Sequence, residues 1–316
     1  MMAEKKIPII LDTDPGHDDA FAIMMALASP KIELLGLTSV AGNSVIENTT
    51  RNCLRILEKV GRTEVPVAKG IGKPLSKPLI YDLAKKYHGE SGLEGPSYPE
   101  VKTPLQKEDA VDFIARVLKE SEEKVTLVPV GPLTNIAAFI LSYPELLGKI
   151  EQISIMGGLT YAHPNGASPA AEFNIFQDPE AADIVFKTGI PIIMHSINST
   201  SLGQVKDSEI EHMRPLGRAG EFAAELLEFY RKMFRSLGLS YYNICDSHAV
   251  AWLIDPTIYG GSYAHVEMDL DGEYTRAMTV SDLREDRSAD TNCFVIESCD
   301  QERYFALMFQ CLKDLG

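Results

Sequence analysis

The most constraining stretch lies at the start of the chain. Ile7-Pro8-Ile9-Ile10-Leu11 runs straight into Asp12-Thr13-Asp14-Pro15-Gly16-His17-Asp18-Asp19. A short apolar run bounded by turn residues suits a buried strand of a parallel sheet covered on both faces. Pro15-Gly16 forces a tight turn, and Ala20 to Leu27 then carries an apolar helix inward. The carboxylates need their own explanation. Crowded this closely they repel one another, and would protonate or move apart. Asp12 and Asp14, two apart at a strand end, point the same way. Asp18 and Asp19 fall in the first helical turn, where the dipole favours ionised carboxylates. They lie about 100° apart around the helix axis, so their roles differ. The cluster sits at the carboxyl end of a strand, where open α/β sheets place their ligands. An all-oxygen, carboxylate-rich set points to a hard cation, Ca²⁺ or Mg²⁺. The plain alternative is a capped helix beside an acidic surface loop.

Charge narrows the partners. A net charge of −15 over 316 residues repels nucleic-acid phosphates and anionic membranes. No Gly-rich phosphate loop or Lys/Arg cluster stands out, so a polyanionic substrate is not expected. Hydrophobic residues make up 45% of the chain, enough for a sizeable core. The start Met1-Met2-Ala3-Glu4-Lys5-Lys6 is charged and precedes only a short apolar run, which does not read as a signal peptide. No apolar run approaches a membrane span. Cys53, Cys245, Cys293, Cys299 and Cys311 form no Cys-x-x-Cys pair, so a reduced, cytoplasmic setting is expected.

Strand and helix patterns alternate along the chain. Strands are expected at Ile32 to Val40, Val65 to Ala68, Val125 to Val130, Ile153 to Met156 and Ile190 to His195. Helices are expected from about Val45 to Val60, at Ala110 to Lys119, after Gly131-Pro132-Leu133-Thr134-Asn135, and from Glu180 to Lys187 behind Pro179. Residues 205–238 read as two helices broken near Pro215 to Gly220. Tyr241 to Ile254 reads as a loop delivering Asp246 to an apolar helix. The tail has strand candidates at 264–268, 276–280 and 293–297, then a closing helix to Leu312. Two stretches show no clear periodicity. One, residues 69–106, holds His88-Gly89-Glu90-Ser91-Gly92 and reads as a mobile lid. The other, Leu159 to Asp178, holds Ala171-Glu172-Phe173-Asn174. With no repeat or linker, residues 1–316 form a single domain: an open, mostly parallel, Rossmann-like α/β sheet flanked by helices.

Asp12 to Asp19 resembles the opening signature of the nucleoside hydrolases, the inosine–uridine-preferring group. Ala41-Gly42-Asn43, His88 to Gly92, Gly131 to Asn135, Met156-Gly157-Gly158, Ala171 to Asn174 and Asp246 follow in the family's order and spacing, so the resemblance covers essentially the whole chain. It implies hydrolysis of the N-glycosidic bond of ribonucleosides to ribose and free base, in nucleoside salvage or catabolism. It implies one Ca²⁺ held by Asp14, Asp19 and Asp246 with the backbone carbonyl of Val130. Asp14 would also be the general base on the attacking water. Asp18, Asn43, Glu172 and Asn174 would hold the ribose hydroxyls. Met156 and Phe173, within matching motifs, are further substrate contacts. Asn165 is another, in a loop one residue longer than the family's. The resemblance also implies a homodimer or homotetramer.

The chain departs from that pattern. Where many relatives carry a His that protonates the leaving base, this chain carries Cys245. Three readings stay open: Cys245 is the acid, Cys245 is a packing residue, or activation comes from elsewhere, His88 being the best other candidate. His17 replaces a usual apolar residue and is read as reaching solvent beside the site or as structural. Asn198 stands where relatives often have Asp and is read as structural or as backing the site. The Tyr- and Phe-rich segment 225–245 offers stacking for a base. Two rivals remain. One is a phosphatase of the haloacid-dehalogenase kind, with the first Asp as nucleophile. The other is a Ca²⁺-dependent nucleoside- or sugar-binding protein that has lost turnover.

Overall fold

The computed structural model describes residues 5–80, 82–164, 166–239, 242–285 and 290–316. Its first half contains β1 (Ile7–Thr13), α1 (His17–Ala28), β2 (Ile32–Ser39), α2 (Ile46–Val60), β3 (Val67–Lys69), α3 (Asp82–His88), α4 (Ala110–Glu120), β4 (Val125–Pro129), α5 (Thr134–Ser142) and β5 (Ile150–Met156). There follow α6 (Phe173–Gln177), α7 (Pro179–Phe186), β6 (Ile192–His195), α8 (Ile197–Thr200), β7 (Gln204–Val205), α9 (Asp207–Met213) and α10 (Arg218–Ser236). The chain closes with β8 (Tyr242–Asn243), α11 (Ser247–Ile254), β9 (Tyr259–Met268), β10 (Thr279–Asp282), β11 (Cys293–Cys299) and α12 (Gln301–Leu315).

The main sheet has nine strands in the order β10-β9-β11-β6-β5-β4-β1-β2-β3. From β11 to β3 every pairing is parallel; β9 and β10 add an antiparallel end. This bears out the mostly parallel α/β expectation. Successive residues of β1 point to opposite faces. Ile9 and Leu11 join a core cluster with residues of α1, α2, α10, α11 and α12, while Ile10 joins one with α4, α5 and α7. Helices therefore cover both faces, which is why β1 is apolar without alternation. The strand order reverses between β1 and β4. That switch point opens a crevice outside the carboxyl ends of the strands.

Four local expectations are corrected. The stretch from 69 to 106 contains the helix α3, with His88 as its last residue. The irregular stretch before Asp178 contains the short helix α6, capped by Glu172. Residues 276–280 are not one strand: a turn closed by Asp269 on the N–H groups of Asp271 and Gly272 runs through Ala277, whose φ is 71°, and β10 begins only at Thr279. The pair β7–β8 escaped notice because two-residue strands carry no periodicity. Among the described residues, no helix is long and apolar enough to cross a membrane.

Candidate active site at the sheet switch point

Asp14 leaves the end of β1 into the switch-point crevice. Its Oδ2 accepts the Asn43 backbone N–H at 2.6 Å. A Cβ on Gly42 would lie 2.1 Å from Asp14 Oδ2, and one on Gly131 would lie 2.5 Å from Oδ1. Both loop glycines are therefore required by the closeness of this carboxylate. Oδ1 is buried and has no hydrogen-bond partner.

Asp18 and Asp19 diverge, as their helical spacing requires. Asp19 turns back onto the Pro15-Gly16 turn. Its Oδ1 accepts Thr13 Oγ1 at 2.5 Å and Asp14 N at 3.2 Å; its Oδ2 accepts Gly16 N at 2.8 Å and Asn43 Nδ2 at 3.2 Å. Asp18 instead lines the cavity. Asp246, at the start of α11, meets them from the other end of the chain. Carboxylate oxygens of Asp18, Asp19 and Asp246 lie within 4.8 Å of one another.

Burial and mutual repulsion raise these acids. Asp18 is pushed up to about 7, while Asp14 and Asp246 are held well above the usual carboxylate range. Asp246 lies within hydrogen-bonding reach of both Asp18 and Asp19, a closeness that needs a proton or cation between the oxygens. Asp14 stands outside that group of three, and its orphaned Oδ1 is a further buried acceptor beside it. An all-oxygen donor set of this kind fits a hard divalent cation. The Val130 carbonyl borders the same cavity. It accepts Asn174 Nδ2 at 2.9 Å, and a carbonyl's second lone pair stays available. The tightest trio thus holds Asp18 beside Asp19 and Asp246, with Asp14 adjacent.

The cavity and its open mouth together span about 850 Å³ of space between the lining residues. Asn43, Met156, Glu172 and Asn174 are among the residues that line it. Glu172 accepts Gly158 N at 3.0 Å, Asn174 N at 2.8 Å and Ile175 N at 3.2 Å, so one side chain both caps α6 and faces the cavity. Its burial outweighs those bonds and raises it to about 7. Asn174 Nδ2 also donates to the Met156 carbonyl at 3.1 Å. Phe173, Tyr87, Tyr230 and Phe234 give it aromatic walls, joined by His88 and Cys245. Burial and the Asp18 charge push the Cys245 thiol far up, which makes it a poor acid.

Of the residues given a catalytic, ribose or metal role from the sequence, Asp18, Asn43, His88, Val130, Met156, Glu172, Phe173, Asn174, Cys245 and Asp246 line this cavity, Asp14 and Asp19 lie in the carboxylate cluster beside it, and Asn165 lies outside the described residues. His17 does not reach solvent; it is fully buried against His88. Asn198 braces residues 160–161, accepting Thr160 N at 2.8 Å and donating to the Tyr161 carbonyl at 2.9 Å. Asp12 cannot serve as a phosphatase nucleophile. It is fully buried, with Oδ1 under Thr38 Oγ1 at 2.5 Å and Asn135 Nδ2 at 2.7 Å. Asn135 was visible as part of a motif, but its work, tying Asp12 to the Ser39 carbonyl and Ile71 N, was not. Asn52 gave no signal. From α2 it donates to the carbonyls of Pro15 and Ser91, joining the acidic turn to the loop after α3.

Comparison with known proteins accords with this geometry. The family model described as inosine-uridine preferring nucleoside hydrolase matches residues 9–306. A Klebsiella pneumoniae protein named pyrimidine-specific ribonucleoside hydrolase RihA is 42% identical over 309 residues, covering 97% of this chain and 98% of its own. A Photobacterium profundum protein of the same name is 42% identical over 310 residues, covering 97% and 99%. The solved structure of a purine-preferring ribonucleoside hydrolase from Gardnerella vaginalis superposes with a TM-score of 0.90 at 32% identity, covering 98% of each chain. The chain belongs to the inosine-uridine preferring nucleoside hydrolase family, and is a glycosidase acting on N-glycosyl compounds.

Proposed function

We propose that the protein hydrolyses pyrimidine ribonucleosides, with a Ca²⁺ ion held by the acidic cluster. The observation that carries this reading is the meeting, in one cavity, of a carboxylate cluster with Asn43, Glu172 and Asn174. Asp14, Asp19, Asp246 and the Val130 carbonyl would hold the ion, with Asp18 bordering it. When bound, such an ion acidifies and orients a water and gathers a vicinal diol. Asp14, with one oxygen fixed by Asn43 N and the other free, accepts the proton of the attacking water. Asp18, Asn43, Glu172 and Asn174 take the ribose hydroxyls. The surrounding carboxylates favour the positive charge that develops at C1′ in an oxocarbenium-like transition state. The base sits among Phe173, Tyr230 and Phe234.

The pyrimidine choice follows the names of the relatives above, which are more similar in sequence than the purine-preferring one. His88, which lines the cavity, is the leaving-group acid in this reading: Cys245 is too weak an acid, whereas burial and the neighbouring His17 hold His88 well below the ordinary imidazole range, so a proton it takes up is readily given away. A cytoplasmic homo-oligomer working in nucleoside salvage or catabolism accords with the family. The test is a panel of uridine, cytidine, inosine and adenosine, with and without a chelator. Release of free uracil and cytosine that stops on chelation supports the reading. Binding without turnover, or undiminished turnover in metal-free protein, overturns it.

A further inference from the structure

Asp246 is the member of the carboxylate trio that arrives from a distant part of the chain. Asp18 and Asp19 share the first turn of α1, whereas Asp246 stands between β8 and α11. Its backbone is helical, with φ −68° and ψ −34°, yet its carboxylate does not cap α11. That carboxylate is turned to the other two acids instead, with oxygens of all three inside 4.8 Å. Charges gathered so closely repel, so the segment that carries Asp246 needs a tie that holds it inward.

The tie comes from α12. Tyr304 is fully buried, and its phenol reaches both flanks of Asp246. Tyr304 OH lies 3.1 Å from the Ile244 carbonyl and 2.6 Å from Ser247 Oγ. The carbonyl only accepts and the phenol has one proton, so Tyr304 donates to Ile244 and accepts from Ser247. One oxygen thereby joins the residue two before Asp246 to the residue just after it. The ring that carries this oxygen is held flat. His248 stacks on it with centroids 3.9 Å apart and planes at 6°, and His248 Nδ1 lies 2.9 Å from Tyr259 OH. Tyr304 is not among the residues that line the cavity, so its action on the site runs through the segment it grips. A separate clamp on α11 sits farther along: Ser154 Oγ of β5 donates to the Ala249 carbonyl at 2.9 Å.

We infer that Tyr304 is a positioning residue whose hydroxyl holds Asp246 against the repulsion of Asp18 and Asp19, so that the carboxylates are gathered before a cation arrives. This rests on the cation reading above. Ligands already in place lose less freedom on binding, so the hydroxyl acts on cation affinity and not on the chemical step. Without it, the buried Ile244 carbonyl and Ser247 hydroxyl lose this partner, and a shift of the segment between them relieves both.

Calorimetric titration of metal-stripped protein with Ca²⁺ tests the inference. Tyr304→Phe removes the hydroxyl and keeps the ring. Its Kd for Ca²⁺ should rise about 10-fold or more. With Ca²⁺ saturating, kcat on uridine should stay within about threefold of the wild type, while the Ca²⁺ concentration for half-maximal turnover rises with the Kd. Ser154→Ala loosens α11 away from Asp246 and should leave the Kd within about twofold. An unchanged Kd in Tyr304→Phe overturns the inference. So does a rise in Ser154→Ala as large as that in Tyr304→Phe, since it marks a general loosening of α11. If Tyr304→Phe does not fold, Ser247→Ala takes its place, with a rise in Kd of about threefold or more expected and an unchanged Kd overturning the inference. A wild-type protein that binds no Ca²⁺ instead overturns the cation reading itself.

Discussion

The two ends of the cavity are built differently. The polar wall stands on the end of β1 and on the short helix α6 and is braced throughout: Asp14 sits between Gly42 and Gly131, Glu172 accepts three backbone amides, and Asn174 spans two carbonyls. The base end stands on helices and a lid. There α3 and α10 supply aromatic rings, and the His88 ring meets residue 17. Strand ends in a packed sheet cannot shift without disturbing the core, so they hold groups whose placement decides rate. Helix faces and loops tolerate substitution, so they suit groups that choose the base. The contrast explains how relatives named for pyrimidines and for purines keep one fold.

The largest expected effect lies at the ribose end. Asp14→Asn keeps the shape but removes the proton acceptor, and should lower kcat on uridine by about 10³-fold or more with the melting temperature little changed. A loss below about tenfold would mean that the braced end does not carry the chemistry. Next is the substrate itself. Deoxyuridine leaves the polar groups at Asn43, Glu172 and Asn174 short of a partner, which costs a few kcal/mol, or roughly 10²-fold or more in kcat/KM. Comparable turnover of uridine and deoxyuridine would contradict the assignment of those residues to ribose.

Stability should report the same acidic end. Asp12, Asp18 and Glu172 are raised to about 7 from ordinary values of 3.8, 3.8 and 4.5. A carboxyl whose folded value is raised contributes stability that is full below its unfolded value and is lost as pH rises through the folded one. Metal-stripped protein should therefore melt at lower temperature at about pH 8 than at about pH 6, and added Ca²⁺ should flatten that fall. Calorimetry across that range decides it; a metal-free Tm that climbs with pH would count against the cation site. The smallest effect belongs to the base end. Cys245→Ala should lower kcat on uridine by less than about tenfold, since a thiol held so far up donates poorly. A loss as large as that of Asp14→Asn would make Cys245 the leaving-group acid and displace His88.

Most of the sheet could be read from sequence because its strands are buried on both faces and appear as unbroken apolar runs. The elements that escaped are short or rest on distant partners. The helix α3 lies in a stretch rich in Gly, Pro and Lys, and gains its place by packing on α10. The antiparallel pair β7–β8 is two residues long on each side. In the site, residue types that chelate or bond sugars announced themselves. Bracing residues such as Asn52 did not, because an asparagine in the middle of a helix looks the same whether it faces water or the carbonyls of Pro15 and Ser91.

The opening strand and its acidic turn, by themselves, determined that a carboxylate cluster sits at a carboxyl edge of a covered sheet. Local covalent order suffices for this, since strand alternation and the first helical turn fix where neighbouring carboxylates point. Only the tertiary structure decided that Asp246 closes on Asp18 and Asp19, that Asp12 is sealed beneath Asn135, and that His17 meets His88 at the end of α3. Those meetings depend on how helices dock on both faces of the sheet, and no spacing within one segment encodes the distance between two.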